Sequence, residues 1–262
     1  MEIVILPDGA AVGAAAAARI AAVVRSTPDA VLGLATGSSP LGAYGALAEL
    51  VARDEVDLSR VSAFALDEYV GVPVTSPLSY AATIARDATG PLGLDPAKVR
   101  VPDGNADDLE AACAAYDAAI RDAGGVDVQL LGIGANGHIG FNEPTSSFAS
   151  RTRIKTLAPR TREDNARFFD GDLDAVPMHC ITQGLGTILE ARRLLLVAQG
   201  EAKAAAVAAA VEGPLSAMVP GSALQLHRFA TVLLDKAAAS KLTLTDYYRF
   251  TDANKPAWQR IG

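Results

Sequence analysis

Hydrophobic residues recur along this chain in short runs separated by glycine-rich and polar turns, and two kinds of run alternate. Glu2 to Leu6, Ala30 to Ala35, Val61 to Leu66, Val126 to Leu131 and Arg193 to Ala198 are brief, strongly apolar and rich in β-branched residues or leucine. They read as strands, and Val126, Val128 and Leu130 would share one face. Met178 to Thr182 reads the same way, and Ser222 to Gln225, Thr231 to Leu234 and a mixed tail finish the chain. Between the strands, larger apolar residues return at helical spacing. Ile20, Val23 and Val24 do so in Ala11 to Arg25, and Leu109, Cys113, Tyr116 and Ile120 do so in Ala106 to Ala123. Leu41 to Arg53, Leu78 to Ala88, Gly184 to Ala191 and Ala202 to Val211 also read as helices. Pro40 suits the first turn of its helix, where a missing N–H is no loss. Arg160 to Phe169 is charged and little of it is apolar, so a mobile helix is expected there.

Strands alternating with helices predict an α/β fold, a Rossmann-like and mostly parallel sheet with helices on both faces. Neither a repeat nor a long linker interrupts the chain, so residues 1–262 are expected to form a single domain. Half the residues are hydrophobic, which is enough for a sizeable core. The net charge of −7 argues against general nucleic-acid binding, which needs a basic face. A small anion is still within reach of local arginines and lysines. The two cysteines, Cys113 and Cys180, form no metal-binding pattern, and free thiols in a reducing compartment are expected. Ala30 to Ala48 is uncharged and long enough to span a bilayer, but Thr36-Gly37-Ser38-Ser39-Pro40 breaks it. Arg19 and Arg25 interrupt the alanine-rich start, so no leader is read. A cytoplasmic protein without membrane partner is the expectation.

Four constellations can carry chemistry. Leu34 to Pro40 runs from a strand through a Gly/Ser/Thr turn into a helix; free amides and hydroxyls there make either an anion site or an ordinary capped turn. Asp67 and Glu68 follow a very apolar strand. Neighbouring side chains point to opposite faces, so one can enter a cleft as a base while the other bonds structurally. Two acids alone are equally a solvated pair. In Gly132 to Pro144, a glycine turn delivers His138, followed by Asn142 and Glu143; a histidine beside a carboxylate is an acid/base unit, and Asn142 is placed to orient a substrate hydroxyl. His179 and His227 lack such neighbours and read as structural. Finally, Arg151, Arg153 and Lys155 alternate along an extended segment near Thr145, Ser146 and Ser147, a second anion site or a solvated strand face. Arg167 belongs to the same cationic set. Lys203 opposes the dipole at a helix start, which hints at an anion but is also met in exposed lysines.

The stretches LGLATGSSP, LDEYVG, GIGANGHIGFNEP, SRTRIKT, ARFFDGD, QGLGTILEAR and AVEGPLSAM together resemble the glucosamine-6-phosphate deaminase family. The likeness covers nearly the whole chain, and LDEYVG with GHIGFNEP is its most specific part. It implies conversion of glucosamine 6-phosphate to fructose 6-phosphate and ammonia, in amino-sugar catabolism and without a cofactor or metal. It assigns Asp67 as the base between C2 and C1, and His138 as the ring-opening group, oriented by Glu143. Asn136 stands where the family has Asp or Asn. With Asn136 the histidine has one carboxylate partner fewer, so a different pH profile is expected from that of Asp-bearing relatives. Gly37, Ser38, Ser39, Arg167 and Lys203 are implied to bind phosphate, with Arg160 to Phe169 as a lid. Ser146, Ser147, Arg153 and Lys155 match a site at which some family members, which are hexamers, bind N-acetylglucosamine 6-phosphate as activator. The tail from Asp246 to Phe250 matches that site poorly. A homo-oligomer is the implied assembly. Rival readings are a sugar-phosphate lactonase or isomerase of the same fold, and a non-catalytic sugar-phosphate sensor.

Overall fold

A computed structural model describes residues 1–256 and 259. Its strands are β1 (Glu2–Leu6), β2 (Val31–Leu34), β3 (Ser62–Ala65), β4 (Asp67–Tyr69), β5 (Val99–Arg100), β6 (Val128–Leu131), β7 (Arg153–Thr156), β8 (His179–Thr182), β9 (Leu194–Ala198) and β10 (Ala230–Asp235). The α-helices are α1 (Gly9–Ser26), α2 (Leu41–Ala52), α3 (Tyr80–Ile84), α4 (Leu109–Asp122), α5 (Pro159–Asn165), α6 (Leu185–Leu189), α7 (Ala204–Val211) and α8 (Thr245–Ala253). Seven strands pair in the order β1-β10-β9-β6-β2-β3-β5, every pairing parallel.

Helices cover both faces, which is why the strands are apolar on both sides rather than alternating. Leu32, Leu34, Val128 and Leu130 pack with Val12, Ile20 and Leu47 on one face. Val31, Phe64, Leu131 and Leu196 pack with Tyr116, Ile188 and Val207 on the other. Helix α1 has the length and hydropathy of a membrane span, but it lies against α2, β9 and β10 and buries Val12, Ala16, Ala17, Ile20 and Val24. Asp8 caps it by accepting from the Ala11 amide at 2.9 Å.

A smaller antiparallel sheet, β4-β8-β7, is the main feature the sequence pattern did not predict. Strand β4 is three residues long and β5 is two, too short for any period to show. The small sheet carries an aromatic cluster in which Tyr69 meets Tyr80, Phe141 and Phe169 with ring centroids 4.7–5.7 Å apart. Other departures are local. The expected 78–88 helix starts at Tyr80, and Ala85 to Thr89 winds into a wider π turn. Ser222 to Gln225 lies in a tight 3-10 helix, Pro220–Leu226, and the mixed tail forms α8. The last residues of the expected 1–262 domain lie outside the described ones.

Candidate active site

The strand order reverses beside β2: the chain runs outward through β3 to β5, then returns to place β6 on the other flank. The loops leaving β2 and β6 therefore face each other across a crevice at the carboxyl ends of the strands, where open α/β sheets bind ligands. The segments after β3 and β9 border the same crevice. Together they line a cavity of about 500 Å³ with Thr36, Gly37, Ser38 and Ser39, Asp67, Gly132 to Ala135, His138 and Lys203. That volume suits a small metabolite. Helix α5 and the turn after it supply the roof through Arg160, Thr161, Asn165 and Arg167.

Asp67 begins β4 and is 5% exposed. Burial, and then the neighbouring Glu68 charge, push its carboxyl up to about 8. Glu68 points the other way. It accepts the amides of Tyr69, Tyr80 and Ala81 at 2.8–2.9 Å, so it holds the start of α3. The divergence expected of adjacent strand residues thus separates one carboxylate in the cavity from one in the scaffold.

The β6 loop turns so tightly that the imidazole of His138 lies over Gly134. A Cβ at Gly134 would sit 2.2 Å from the ring. His138 Nδ1 faces Glu143 Oε2 at 3.6 Å, a little beyond a hydrogen bond, a spacing usual before a ligand tightens such a pair. Asn136 bonds to the neighbours of the ring and not to the ring itself. Its Nδ2 donates to Glu143 Oε2 at 2.7 Å, and its Oδ1 accepts the His138 amide at 3.2 Å. Burial alone would raise the Glu143 carboxyl; the groups gathered around it, His138 foremost, outweigh that and hold it at about 2.

Anion-binding groups share this cavity. Helix α2 follows the Thr36–Ser39 turn, where Gly37 adopts φ +88°, and no side chain caps its first amides, which leaves them available to an anion. Burial, and then the charge of Arg167, push the Lys203 ammonium down. Two cations gathered against their repulsion suit a phosphate. Among the described residues, no group of three His, Cys, Asp or Glu side chains is arranged to hold a metal.

The sequence-flagged residues therefore divide. Asp67, His138, Gly37, Ser38, Ser39, Arg167 and Lys203 meet in one cavity, with Glu143 and Asn136 directly behind His138. Asn142 does not orient a ligand. It is fully buried, gives its amide hydrogens to Ile139 and Gln183 carbonyls, and accepts from Arg153. Arg151 is not free to join Arg153 and Lys155 in an anion site. It precedes β7 and pairs with Asp117 at 2.9 Å and Glu190 at 2.6 Å. Arg153 also reaches Ser146 Oγ at 3.1 Å. Ser147 accepts the Ala149 amide at 3.2 Å, away from the cavity. His227 is held between the Ala191 carbonyl and the Phe229 amide, in keeping with a structural role. Tyr80 lines the cavity although no motif marks it, and Phe141, Thr161 and Asn165 line it from flagged stretches without having been singled out as residues.

Residues 8–233 match the family described as glucosamine-6-phosphate isomerases/6-phosphogluconolactonase. Proteins named glucosamine-6-phosphate deaminase from Streptomyces coelicolor and Mycolicibacterium smegmatis are 59% and 58% identical over 261 residues, 100% of this chain and of each relative. A solved structure described as a monomeric glucosamine-6-phosphate deaminase is 42% identical, with TM-score 0.89 over 92% of this chain and 100% of that one. 6-Phosphogluconolactonase from Thermotoga maritima, at 20% identity and TM-score 0.70 over 89% of this chain and 98% of that one, shares the fold alone.

Proposed function

The chain belongs to the glucosamine-6-phosphate isomerase/6-phosphogluconolactonase family, and we propose that it converts glucosamine 6-phosphate to fructose 6-phosphate and ammonia. The observation that carries this reading is a buried, high-pKa carboxylate sharing one cavity with a histidine–carboxylate unit and an anion-binding turn. Lactone hydrolysis requires water delivered to a carbonyl. It does not require a group that carries a proton from one carbon to the next, which is what Asp67 is suited to do.

In the proposed sequence, Gly37, Ser38, Ser39, Arg167 and Lys203 hold the phosphate. It is remote from the reacting carbons, so its binding energy keeps the sugar in register. His138, oriented by Glu143, moves the O1 proton to O5 and opens the ring. Asn136 positions this pair through Glu143 and the His138 amide. Asp67 takes the C2 proton to form an enolamine and returns it to C1, leaving an imine that water hydrolyses to the ketone and ammonia. The steps use only protein groups and water.

Finer features belong to the same proposal: a role in amino-sugar catabolism, a cytoplasmic setting, self-association as far as a hexamer, and activation by N-acetylglucosamine 6-phosphate near Ser146, Ser147, Arg153 and Lys155. Support comes from Arg153 and Lys155 on one face of β7, and from Tyr247 and Phe250 on α8, which are 60% and 66% exposed. Light scattering, and rates with and without that activator, test both; a monomer indifferent to it overturns them. The reaction is tested by assaying ammonia released from glucosamine 6-phosphate by wild type and Asp67→Asn. Release by wild type alone upholds it. A folded wild type that releases none, with or without activator, refutes it.

A further inference from the structure

The hydroxyl of Thr161 has no evident task in the steps above. Thr161 lies in α5, part of the roof of the cavity, and is 3% exposed. Its Oγ1 is buried without a hydrogen-bond partner, a condition that folded proteins rarely leave unexplained. The nearby helix start is tied to the same carboxylate. Ala158 provides no side-chain cap for α5, and its amide instead donates to Glu143 Oε1 at 3.3 Å. The other oxygen of that carboxylate accepts from Asn136 and faces His138 Nδ1, which is itself buried and without a hydrogen bond. One carboxylate therefore joins the roof to the histidine, with an unsatisfied buried atom on each side of it. The Thr161 hydroxyl is near enough to help hold Glu143 ionised, yet not aligned as a hydrogen bond.

We propose that Thr161 is a positioning residue for ring opening: when the roof settles over a bound sugar phosphate, its hydroxyl donates to Glu143 and brings that carboxylate into hydrogen-bond contact with His138 Nδ1. The inference rests on the acid/base role read for His138 above. It makes the dyad complete only in a closed site, where the proton moved between O1 and O5 is shielded from bulk water. Thr161 touches no reacting atom and acts through Glu143.

The test is a double-mutant cycle on ammonia release from glucosamine 6-phosphate, with Thr161→Val and Thr161→Ser placed in wild type and in His138→Asn. Valine keeps the shape and removes the hydroxyl; serine keeps the hydroxyl. The expected result is a kcat about tenfold lower for Thr161→Val with KM within about twofold, near-full activity for Thr161→Ser, and no added loss from Thr161→Val when His138 is already absent. An equal loss in both backgrounds, a loss in Thr161→Ser matching that in valine, or an unaffected Thr161→Val each overturns the proposal. Should valine prevent folding, Thr161→Ala takes its place and is read by the same criteria. Wild-type ammonia release separates the two levels: with release and a failed cycle, only this inference falls; without release, the functional reading falls and takes this inference with it.

Discussion

Asp67→Asn is expected to stabilise the fold while abolishing ammonia release, and the stabilisation is expected to depend on pH. The Asp67 carboxyl stands at about 8 in the folded chain against an ordinary value of 3.8. The folded state thus holds this proton more tightly than the unfolded state. Asp67's contribution to stability is full below about pH 4, falls as pH rises, and is lost above about pH 8. The difference between 3.8 and about 8, at 1.36 kcal/mol for each tenfold change in proton affinity, sets a ceiling of about 5 kcal/mol. Relaxation around the buried charge makes about 2–4 kcal/mol a more realistic size. Asparagine never ionises, so it escapes this loss while keeping the side-chain shape. At about 2–4 °C per kcal/mol for a chain of this size, the melting temperature of the variant should exceed that of wild type by about 5–15 °C at pH 9, with little difference at pH 4. Thermal melts of both proteins at half-unit pH steps measure the gap, and other titrating groups cancel in the difference. A gap constant across pH 4 to 9, or a variant less stable at pH 9, would refute the burial argument for Asp67.

The same ionisation should govern rate in the opposite sense: kcat/KM is expected to rise about tenfold per pH unit towards pH 8 and level off above it, since the base works only when deprotonated. Glu68→Gln should move that bend to lower pH by removing the like charge, and should also lower the melting temperature, because Ala81 N–H then meets an amide instead of a carboxylate oxygen. Lys203→Ala should raise KM about 10- to 100-fold, with a smaller effect on kcat and weaker inhibition by inorganic phosphate; an unchanged KM would remove Lys203 from the anion site. Gly134→Ala should lower kcat with the fold intact, because the added Cβ would sit 2.2 Å from the His138 ring and displace it; circular dichroism and turnover measured on the same sample check both halves.

The alternation of short apolar runs with helical periods sufficed for the parallel sheet and for helices on both of its faces, because each such element declares its burial through its own residues. The turns also carried their signal locally. Gly37 and its hydroxyl neighbours, the Asp67–Glu68 pair and the Gly132–Pro144 loop are contiguous, so their chemistry was visible before any fold. What the chain alone left open depended on contacts between segments distant in sequence. That Arg151 is spent on Asp117 and Glu190, and Asn142 on Ile139, Gln183 and Arg153, follows from where α4, β8 and α6 come to rest. The small sheet follows from the pairing of β4 and β7 with β8: the 153–156 and 178–182 segments read as extended, but which strands they join is set only when the fold brings them together. The raised carboxyl of Asp67 and the lowered one of Glu143 were likewise settled by tertiary structure. An acid's identity is written in the sequence, but its proton affinity is set by the solvent it loses and the donors it gains, and those arrive only when distant segments close around it.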